Sequence, residues 1–275
     1  MTLAIETLEA IAPDYDVIVF DQWGVLHDGS APYPDAVRAL ERLQTPAAVL
    51  SNSGKRAAPN ADRIAGMGFA RSCFAHVMTS GEALWQDVAK GAIAARRFHP
   101  VERSAGDAEH WAQGLGIDCA APEAEAEAIL LMGLPDGTDM SDWQAALDRW
   151  RARGLPLYCS NPDRMSPRAG GLVLSPGALA FRYREMGGDV TFYGKPHVPV
   201  FRALEAVLGS GRYLMVGDSL EHDIAGAQAA GWDSLLIQGG LYAERFASGD
   251  AAHVLGDLVA EKHCAPPTYR LEGLR

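Results

Sequence analysis

Two apolar runs, each ending at an aspartate, constrain the fold of this chain most strongly. Residues 17–20 (VIVF) precede Asp21, and residues 214–217 (LMVG) precede Asp218. Runs rich in β-branched and other apolar residues, without polar alternation, are typical of buried strands in a parallel sheet, and such sheets bind ligands at the carboxyl ends of their strands. We therefore expect Asp21, Asp218 and the nearby Asp223 to share one crevice.

Three carboxylates in one crevice repel each other unless a cation lies between them. Carboxylate oxygens are the ligands that Mg²⁺ prefers, so the pattern predicts a magnesium site. The alternative is that each aspartate only caps the helix that follows its strand.

The rest of the chain alternates between strand-like and helical patterns, which predicts an α/β protein with parallel sheets. The chain has 275 residues, more than one average domain, so a core with a second inserted unit is expected. Helical patterns cover residues 35–43, 140–151, 198–208 and 224–230, and strand-like runs cover 47–50, 77–81, 128–132, 155–159 and 234–237.

Composition excludes several classes of function. The net charge is −11 and no basic stripe is present, which argues against a nucleic-acid partner. The four cysteines show no C-x-x-C spacing, so neither zinc nor a disulfide framework is indicated. The first residues lack a signal-peptide pattern, and no apolar run approaches the roughly 18 residues of a membrane span. We expect a soluble, cytoplasmic protein with no membrane partner.

Four sequence blocks, in this order, resemble the haloacid dehalogenase superfamily, and within it the class IIA phosphatases related to p-nitrophenyl phosphatase and the phosphatase of the N-acetylglucosamine operon. The blocks are residues 21–26 (DQWGVL), 50–53 (LSNS), 193–196 (YGKP) and 217–223 (GDSLEHD), and the class IIA marker Asn161-Pro162-Asp163 lies between the second and third. The resemblance spans nearly the whole chain, and the combination is far more specific than any single block.

The resemblance implies a fold and a domain organisation. It implies a Rossmann-like, doubly wound parallel sheet as the core, with an inserted α/β cap domain of the C2 type. We place the core at residues 1–82 plus 183–275 and the cap at residues 83–182. In this architecture the cap excludes water and selects the substrate, and related chains often form homodimers through their caps.

The resemblance also assigns site residues. Asp21 is the expected nucleophile and Lys195 the catalytic group that balances its charge. Ser51, Asn52, Ser53 and Lys195 are the expected phosphate-binding residues, and the Mg²⁺ ligands are expected to be Asp21, the backbone carbonyl of Trp23, Asp218 and Asp223. Taken alone, the Gly-Lys-Pro sequence around Lys195 is usually just a turn.

One position departs from the family pattern. Phosphatases of this superfamily usually carry a second aspartate two residues after the nucleophile, which protonates the leaving oxygen, and here that residue is Trp23. Tryptophan has no acidic proton of useful pKa. His27 and Asp28 are the nearest possible substitutes; alternatively they belong to a polar turn at residues 28–30.

Three functions fit these observations. The first is a Mg²⁺-dependent phosphatase that acts on a small phosphorylated metabolite through an aspartyl-phosphate on Asp21. The second is a non-catalytic or nearly inactive protein that binds a phosphorylated ligand. The third is a carbon–halogen hydrolase, because an aromatic residue at Trp23 resembles the tyrosine of haloacid dehalogenases. Those enzymes dispense with the metal, whereas Asp218 and Asp223 are retained here.

Overall fold

The chain forms two compact units in the computed structural model, which describes residues 2–168 and 171–274. The first unit comprises Met1–Ser51, Ala58–Met78 and Lys195–Arg275, and the second comprises Asn52–Ala57 and Thr79–Gly194. The predicted cap, residues 83–182, lies within the second unit. That this unit acts as a cap stays a prediction.

Strands and helices alternate along the described residues. The strands are β1 (Leu3–Ala4), β2 (Val17–Phe20), β3 (Ala47–Ser51), β4 (His76–Thr79), β5 (Phe98–Val101), β6 (Ala128–Leu131), β7 (Leu157–Cys159), β8 (Met165–Arg168), β9 (Gly171–Leu174), β10 (Val190–Phe192), β11 (Tyr213–Gly217), β12 (Asp233–Ile237) and β13 (Tyr269–Leu271). The α-helices are α1 (Ala36–Arg42), α2 (Ala57–Gly66), α3 (Ser80–Ala89), α4 (Asp107–Trp111), α5 (Gln144–Arg153), α6 (Pro176–Glu185), α7 (Val198–Leu208), α8 (Ala225–Ala230), α9 (Ala243–Ala247) and α10 (Ala251–Lys262). Short 3-10 helices cover Leu8–Ala10, Ala12–Asp14, Arg71–Cys73, Glu123–Glu125 and Met140–Trp143, and a π-helical turn covers Leu220–Ile224.

The first unit is built on a seven-stranded sheet in the order β1-β13-β12-β11-β2-β3-β4. Strand β2 runs parallel to β11 on one side and to β3 on the other, with Phe20 paired to Val216 and to Val49. From β2 the chain moves outward to β3 and β4, and later returns to the other side of β2 as β11. The carboxyl ends of β2 and β11 therefore form the switch point at which such sheets bind ligands.

Apolar side chains hold this sheet in place. Ile18, Phe20 and Val216 are fully buried in a cluster that includes Leu40 of α1 and Ile64 of α2. Each such side chain contributes about 1.5–3 kcal/mol by leaving water. A second apolar cluster joins strand β12 to the π-helical turn and α10; its fully buried members are Leu220, Ile224 and Leu236.

The second unit has its own parallel sheet, in the order β10-β7-β6-β5, and a separate antiparallel hairpin of β8 and β9. Its apolar core includes Ile129, Leu147, Trp150 and Tyr183. The predicted α/β architecture with parallel sheets is therefore confirmed in both units.

Most of the predicted elements lie where the sequence placed them, but several boundaries differ. Strand β7 begins at Leu157 and not at residue 155, and α5 begins at Gln144 after a 3-10 helix and not at residue 140. The run at residues 77–81 was expected to be a strand end throughout, but β4 ends at Thr79 and α3 begins at Ser80. The Thr79 hydroxyl accepts a hydrogen bond from the Glu82 N–H at 3.0 Å, and this cap starts the helix.

None of the helices among residues 2–168 and 171–274 has the length and apolar character that crossing a membrane requires.

Candidate active site

Asp21 and Asp218 lie just beyond the carboxyl ends of the adjacent strands β2 and β11. The Asp21 N–H donates to the Val216 carbonyl at 2.9 Å, so the strand pairing continues to the aspartate itself. Asp223 follows in the π-helical turn after β11. Carboxylate oxygens of these three residues lie within 4.8 Å of one another, so the structure brings together the aspartates that the sequence predicted to share a crevice.

Lys195 lies between two of these carboxylates. Its Nζ is 2.7 Å from Asp21 Oδ1 and 2.7 Å from Asp223 Oδ1. The side chain is only 2% exposed, and a buried ammonium is stable only where carboxylates surround it. Lys195 therefore balances the charge of the expected nucleophile, as the sequence predicts for a site lysine.

Asp223 also orders the loop that carries Asp218. It is fully buried, and its Oδ2 accepts hydrogen bonds from the backbone N–H groups of Asp218 at 3.2 Å and Ser219 at 3.1 Å. Its Oδ1 contacts Lys195. Both carboxylate oxygens thus have protein partners, and Asp223 positions Asp218 and Lys195. That Asp223 also ligates the metal stays a prediction.

Burial and mutual repulsion shift the acidity of the cluster. Burial, followed by the nearby charges of Asp223 and Asp21, raises the pKa of Asp218 to about 8. Burial also raises the pKa of Asp21, although the Lys195 ammonium opposes the shift. Burial alone would lower the pKa of Lys195, but the carboxylates of Asp21 and Asp223 raise it well above its usual value. A second cation, in addition to the Lys195 ammonium, would offset the excess of negative charge in the cluster.

Three residues that the sequence did not single out pack around Asp218. The Leu241 N–H donates to Asp218 Oδ2 at 2.8 Å. A Cβ on Gly24 would lie 1.6 Å from Asp218 Oδ2, and one on Gly240 would lie 2.4 Å from Asp218 Cβ. Both positions therefore require glycine. The Gly239-Gly240 pair, which follows the strand-like run 234–237 after one residue, was the signal available in the sequence, because two glycines near a strand end permit such a close approach.

Trp23 and its neighbours do not supply an obvious acid. His27 is fully buried, its Nδ1 accepts the Gly29 N–H at 3.0 Å, and its Nε2 lies 3.0 Å from Arg63 Nη2. Burial, together with the Arg63 charge, lowers the pKa of His27 to about 4, so the ring is neutral at pH 7.

Asp28 closes a turn. Its Oδ1 accepts the N–H groups of Ser30 and Ala31 and the Ser30 hydroxyl. These hydrogen bonds lower the pKa of Asp28 to about 2. Both candidate substitutes for the missing acid are thus engaged in the local turn, which agrees with the alternative that the sequence left open.

The predicted phosphate-binding residues fall in both units. Ser51 ends β3, next to β2, in the first unit. Asn52 and Ser53 belong to the second unit, where the Asn52 Nδ2 donates to Asp163 Oδ1 at 2.8 Å and the Ser53 carbonyl accepts the Gly81 N–H at 3.0 Å. Their role in binding phosphate stays a prediction, as does the ligation of metal by the Trp23 carbonyl.

The donor set fits Mg²⁺. All the candidate ligand atoms in the cluster are hard carboxylate oxygens, which suit Mg²⁺ and not a soft metal. Burial, followed by the charges of Asp223 and Asp21, raises the pKa of Asp218, and a bound divalent ion would oppose this shift.

Two family models match the chain. A model described as haloacid dehalogenase-like hydrolase matches residues 18–104, and one described as HAD-hydrolase-like matches residues 192–262. The first covers the Asp21 block, and the second covers Lys195 together with Asp218 and Asp223.

Relatives and solved structures agree with these models. A D-glycerol 3-phosphate phosphatase from Mycobacterium tuberculosis is 29% identical over 253 residues, which is 85% of this chain and 66% of the relative, so the chain spans just under two thirds of that protein. A haloacid dehalogenase-like hydrolase from Brucella suis has a TM-score of 0.79 at 29% identity, covering 98% of this chain and all of that one.

Two further structures are similar. A glycerol phosphate phosphatase from Mycobacterium tuberculosis, solved in complex with magnesium, has a TM-score of 0.68 at 26% identity, covering 84% of this chain and 70% of that one. A p-nitrophenyl phosphatase from Archaeoglobus fulgidus has a TM-score of 0.72 at 21% identity, with 94% and 96% covered, and supports the fold alone.

Replacing Gly24 with alanine should weaken metal binding. Gly24 has φ +73, so alanine costs about 1–2 kcal/mol of backbone strain, and its Cβ would displace the Asp218 carboxylate. Gly231→Ala is the matched control, because Gly231 has φ +80 but nothing within 4 Å of the new Cβ. We expect Gly24→Ala to lower Mg²⁺ affinity at least about tenfold in calorimetric titrations, beyond any effect of the control. Equal Mg²⁺ affinities for the two variants would contradict the arrangement around Asp218.

Mg²⁺ binding should depend on pH through Asp218. Because its pKa is raised to about 8, the metal-free protein holds this proton at pH 7 and must release it when the metal binds. Mg²⁺ affinity should therefore rise up to about tenfold per pH unit below pH 8 and level off above it. The folding stability of the metal-free protein should change with pH in the opposite direction to the Mg²⁺ affinity. The raised pKa of Asp218 stabilises the fold at low pH, and this stability is lost as the pH rises through about 8. Titrations at several pH values, in buffers of different ionisation enthalpy, would measure the released proton, and an affinity that does not change between pH 6 and 8 would refute the assignment.

Proposed function

Because the chain belongs to the haloacid dehalogenase-like hydrolases, we propose that it is a Mg²⁺-dependent phosphatase that cleaves a small phosphorylated metabolite through an aspartyl-phosphate on Asp21. The similarity to glycerol phosphate phosphatases from Mycobacterium tuberculosis supports a phosphorylated substrate.

One observation carries this proposal. The Lys195 ammonium contacts both Asp21 and Asp223, next to Asp218, at the switch point of a parallel sheet. A purely structural ion pair would need neither the third carboxylate nor a partly accessible Asp21, whose side chain is 18% exposed. Clustered carboxylates with shifted pKa values are typical of functional sites.

In the proposed reaction, an oxygen of Asp21 attacks the phosphorus, and the bond from phosphorus to the leaving oxygen breaks with its electron pair. Water then attacks the aspartyl-phosphate, which releases phosphate and restores Asp21. Lys195 keeps Asp21 ionised for the attack, because its ammonium lies against Oδ1. Asp223 holds Lys195 and the backbone of Asp218 in place throughout.

The metal would be held by Asp21, Asp218, Asp223 and the Trp23 carbonyl. When bound, Mg²⁺ supplies positive charge that offsets the negative phosphoryl oxygens. Ser51, Asn52 and Ser53 would donate hydrogen bonds to the same oxygens.

The leaving oxygen lacks a dedicated proton donor in this proposal. Trp23 stands at the position of the usual acid, His27 is buried and neutral, and Asp28 is held ionised in its turn. The substrates that suit such a site have leaving groups that depart as anions, such as aryl or acyl phosphates.

A non-catalytic protein that binds a phosphorylated ligand would share this geometry. The observation that favours this alternative is that Trp23 replaces the usual acidic aspartate. A carbon–halogen hydrolase would not need the carboxylate cluster. The cap role of residues 83–182, homodimer formation through the cap and a cytoplasmic location stay predictions from the sequence.

Asp21→Asn should abolish phosphate release. The amide cannot act as the nucleophile, and the expected rate is below about a tenth of the wild-type rate with p-nitrophenyl phosphate and Mg²⁺. Asp257→Asn, an exposed site on α10, is the matched control and should be fully active. Activity should vanish in EDTA and return with added Mg²⁺. Full activity of Asp21→Asn, or indifference to EDTA, would refute the proposed chemistry; tight ligand binding by the wild type without turnover would establish the non-catalytic alternative.

The rate should depend steeply on the leaving group. Acetyl and p-nitrophenyl phosphates should react faster than alkyl phosphates such as glycerol 3-phosphate, by roughly the 10²–10⁴-fold that a general acid supplies. The measurement is kcat/KM across a series of phosphates ordered by the pKa of the leaving alcohol. A flat series would mean that a proton donor other than His27 or Asp28, or the substrate itself, serves the site.

A further inference from the structure

Two exposed apolar side chains belong to segments whose backbone contacts the carboxylate cluster. Trp23 is 47% exposed and Leu241 is 62% exposed, and they are two of the seven large apolar side chains that are exposed among the described residues. Single exposed apolar residues are ordinary, but two next to a cluster of buried charges are not.

These two residues flank a close backbone contact. A Cβ on Gly240 would lie 2.7 Å from the Gly24 carbonyl oxygen, so the chain segments that carry Trp23 and Leu241 meet at these glycines. Both segments also contact Asp218, through the Leu241 N–H and through the close approach of Gly24. The backbone segments that carry these two side chains are therefore held next to the expected metal site.

The Trp23 indole is held in a defined place. A Cβ on Gly29 would lie 2.2 Å from Trp23 Cζ2, so the ring occupies the space that this glycine leaves open. The ring also meets the buried His27 ring in an edge contact, with centroids 6.0 Å apart and an angle of 73° between the planes. Trp23 and His27 form a backbone bridge as well. A large aromatic side chain that is both held and half exposed can present a surface to a ligand.

We propose that Trp23 and Leu241 form an apolar subsite for the leaving group, and that it selects phosphate esters of aromatic alcohols. This inference rests on the proposed phosphatase function. An aromatic ring stacks on an indole, while an aliphatic chain gains only the burial of its surface. The chemistry agrees independently: a phenolate, the conjugate base of an alcohol with a pKa of about 10, can leave without the acid that Trp23 replaces. Trp23 therefore cannot protonate the leaving group, and its ring offers an apolar surface to a leaving group that departs without a proton.

Phosphonates test the subsite apart from the chemistry, because their carbon–phosphorus bond does not break. The experiment measures the affinities of phenylphosphonate, cyclohexylphosphonate and methylphosphonate for the Mg²⁺-loaded protein by calorimetry. Stacking should favour phenyl over cyclohexyl by about three- to tenfold. Trp23→Phe should keep this preference, and Trp23→Leu should remove it. The ratio of the phenyl- and cyclohexylphosphonate affinities within each variant cancels any general loss of binding, and thermal unfolding shows whether each variant is folded.

Leu241→Ala should weaken phenyl- and cyclohexylphosphonate alike, by about two- to fivefold, because it removes apolar contact without removing the aromatic ring. Val207→Ala on α7 is the control, since Val207 is also exposed, at 46%, and lies outside the two segments that carry Trp23 and Leu241.

The outcomes separate the two proposals. If p-nitrophenyl phosphate is hydrolysed but phenyl- and cyclohexylphosphonate bind equally, the subsite is refuted and the phosphatase function stands. If Trp23→Leu keeps the aromatic preference, the subsite is likewise refuted. If no phosphonate binds and no phosphate ester turns over with Mg²⁺, the phosphatase proposal fails and the subsite with it.

Discussion

The contact of one buried ammonium with two carboxylates governs the arrangement of this site. Lys195 lies against Asp21 and Asp223, so the carboxylate expected to react and the carboxylate that orders the loop after β11 share a single counter-charge. Removing one member of a buried ion pair typically costs about 3–5 kcal/mol, because the remaining charge is left without compensation. The site is therefore a coupled unit, in which a change in any of the three residues alters the charge state of the others.

The third carboxylate makes the cluster incomplete without a cation. Asp218 is buried beside two negative neighbours, and the one ammonium present already serves them. The backbone supports this excess charge by donating the Leu241 N–H, and glycine at position 24 leaves room for the carboxylate itself. Packing and electrostatics thus both depend on this carboxylate, which fills the space that Gly24 and Gly240 leave open.

The sequence allowed the parallel sheet and the grouping of its strand-end aspartates to be predicted, because both follow from local patterns. Runs of buried apolar residues identify β2 and β11, and the parallel register then brings Asp21 and Asp218 together. The contribution of Gly240 could not be predicted in this way, since its contact with Gly24 joins distant parts of the chain. The hairpin of β8 and β9 was also missed, because Pro167 within β8 weakens a strand pattern. The start of α3 was misjudged because a threonine cap competes with a β-branched run.

The position of β2 in the sheet links the site to the stability of the whole first unit. This strand has hydrogen-bonded neighbours on both sides, and its residues Ile18 and Val19 are completely buried. Amide hydrogens in such a strand exchange with solvent only through large openings of the structure, whereas those of an exposed turn such as residues 28–31 exchange through local fluctuations. The Asp21 carboxylate is thus attached to the slowest-exchanging kind of element, whereas the Trp23 ring packs against Gly29 of the exposed turn. Substitutions in the loop can alter what the ring contacts while the carboxylate stays in register.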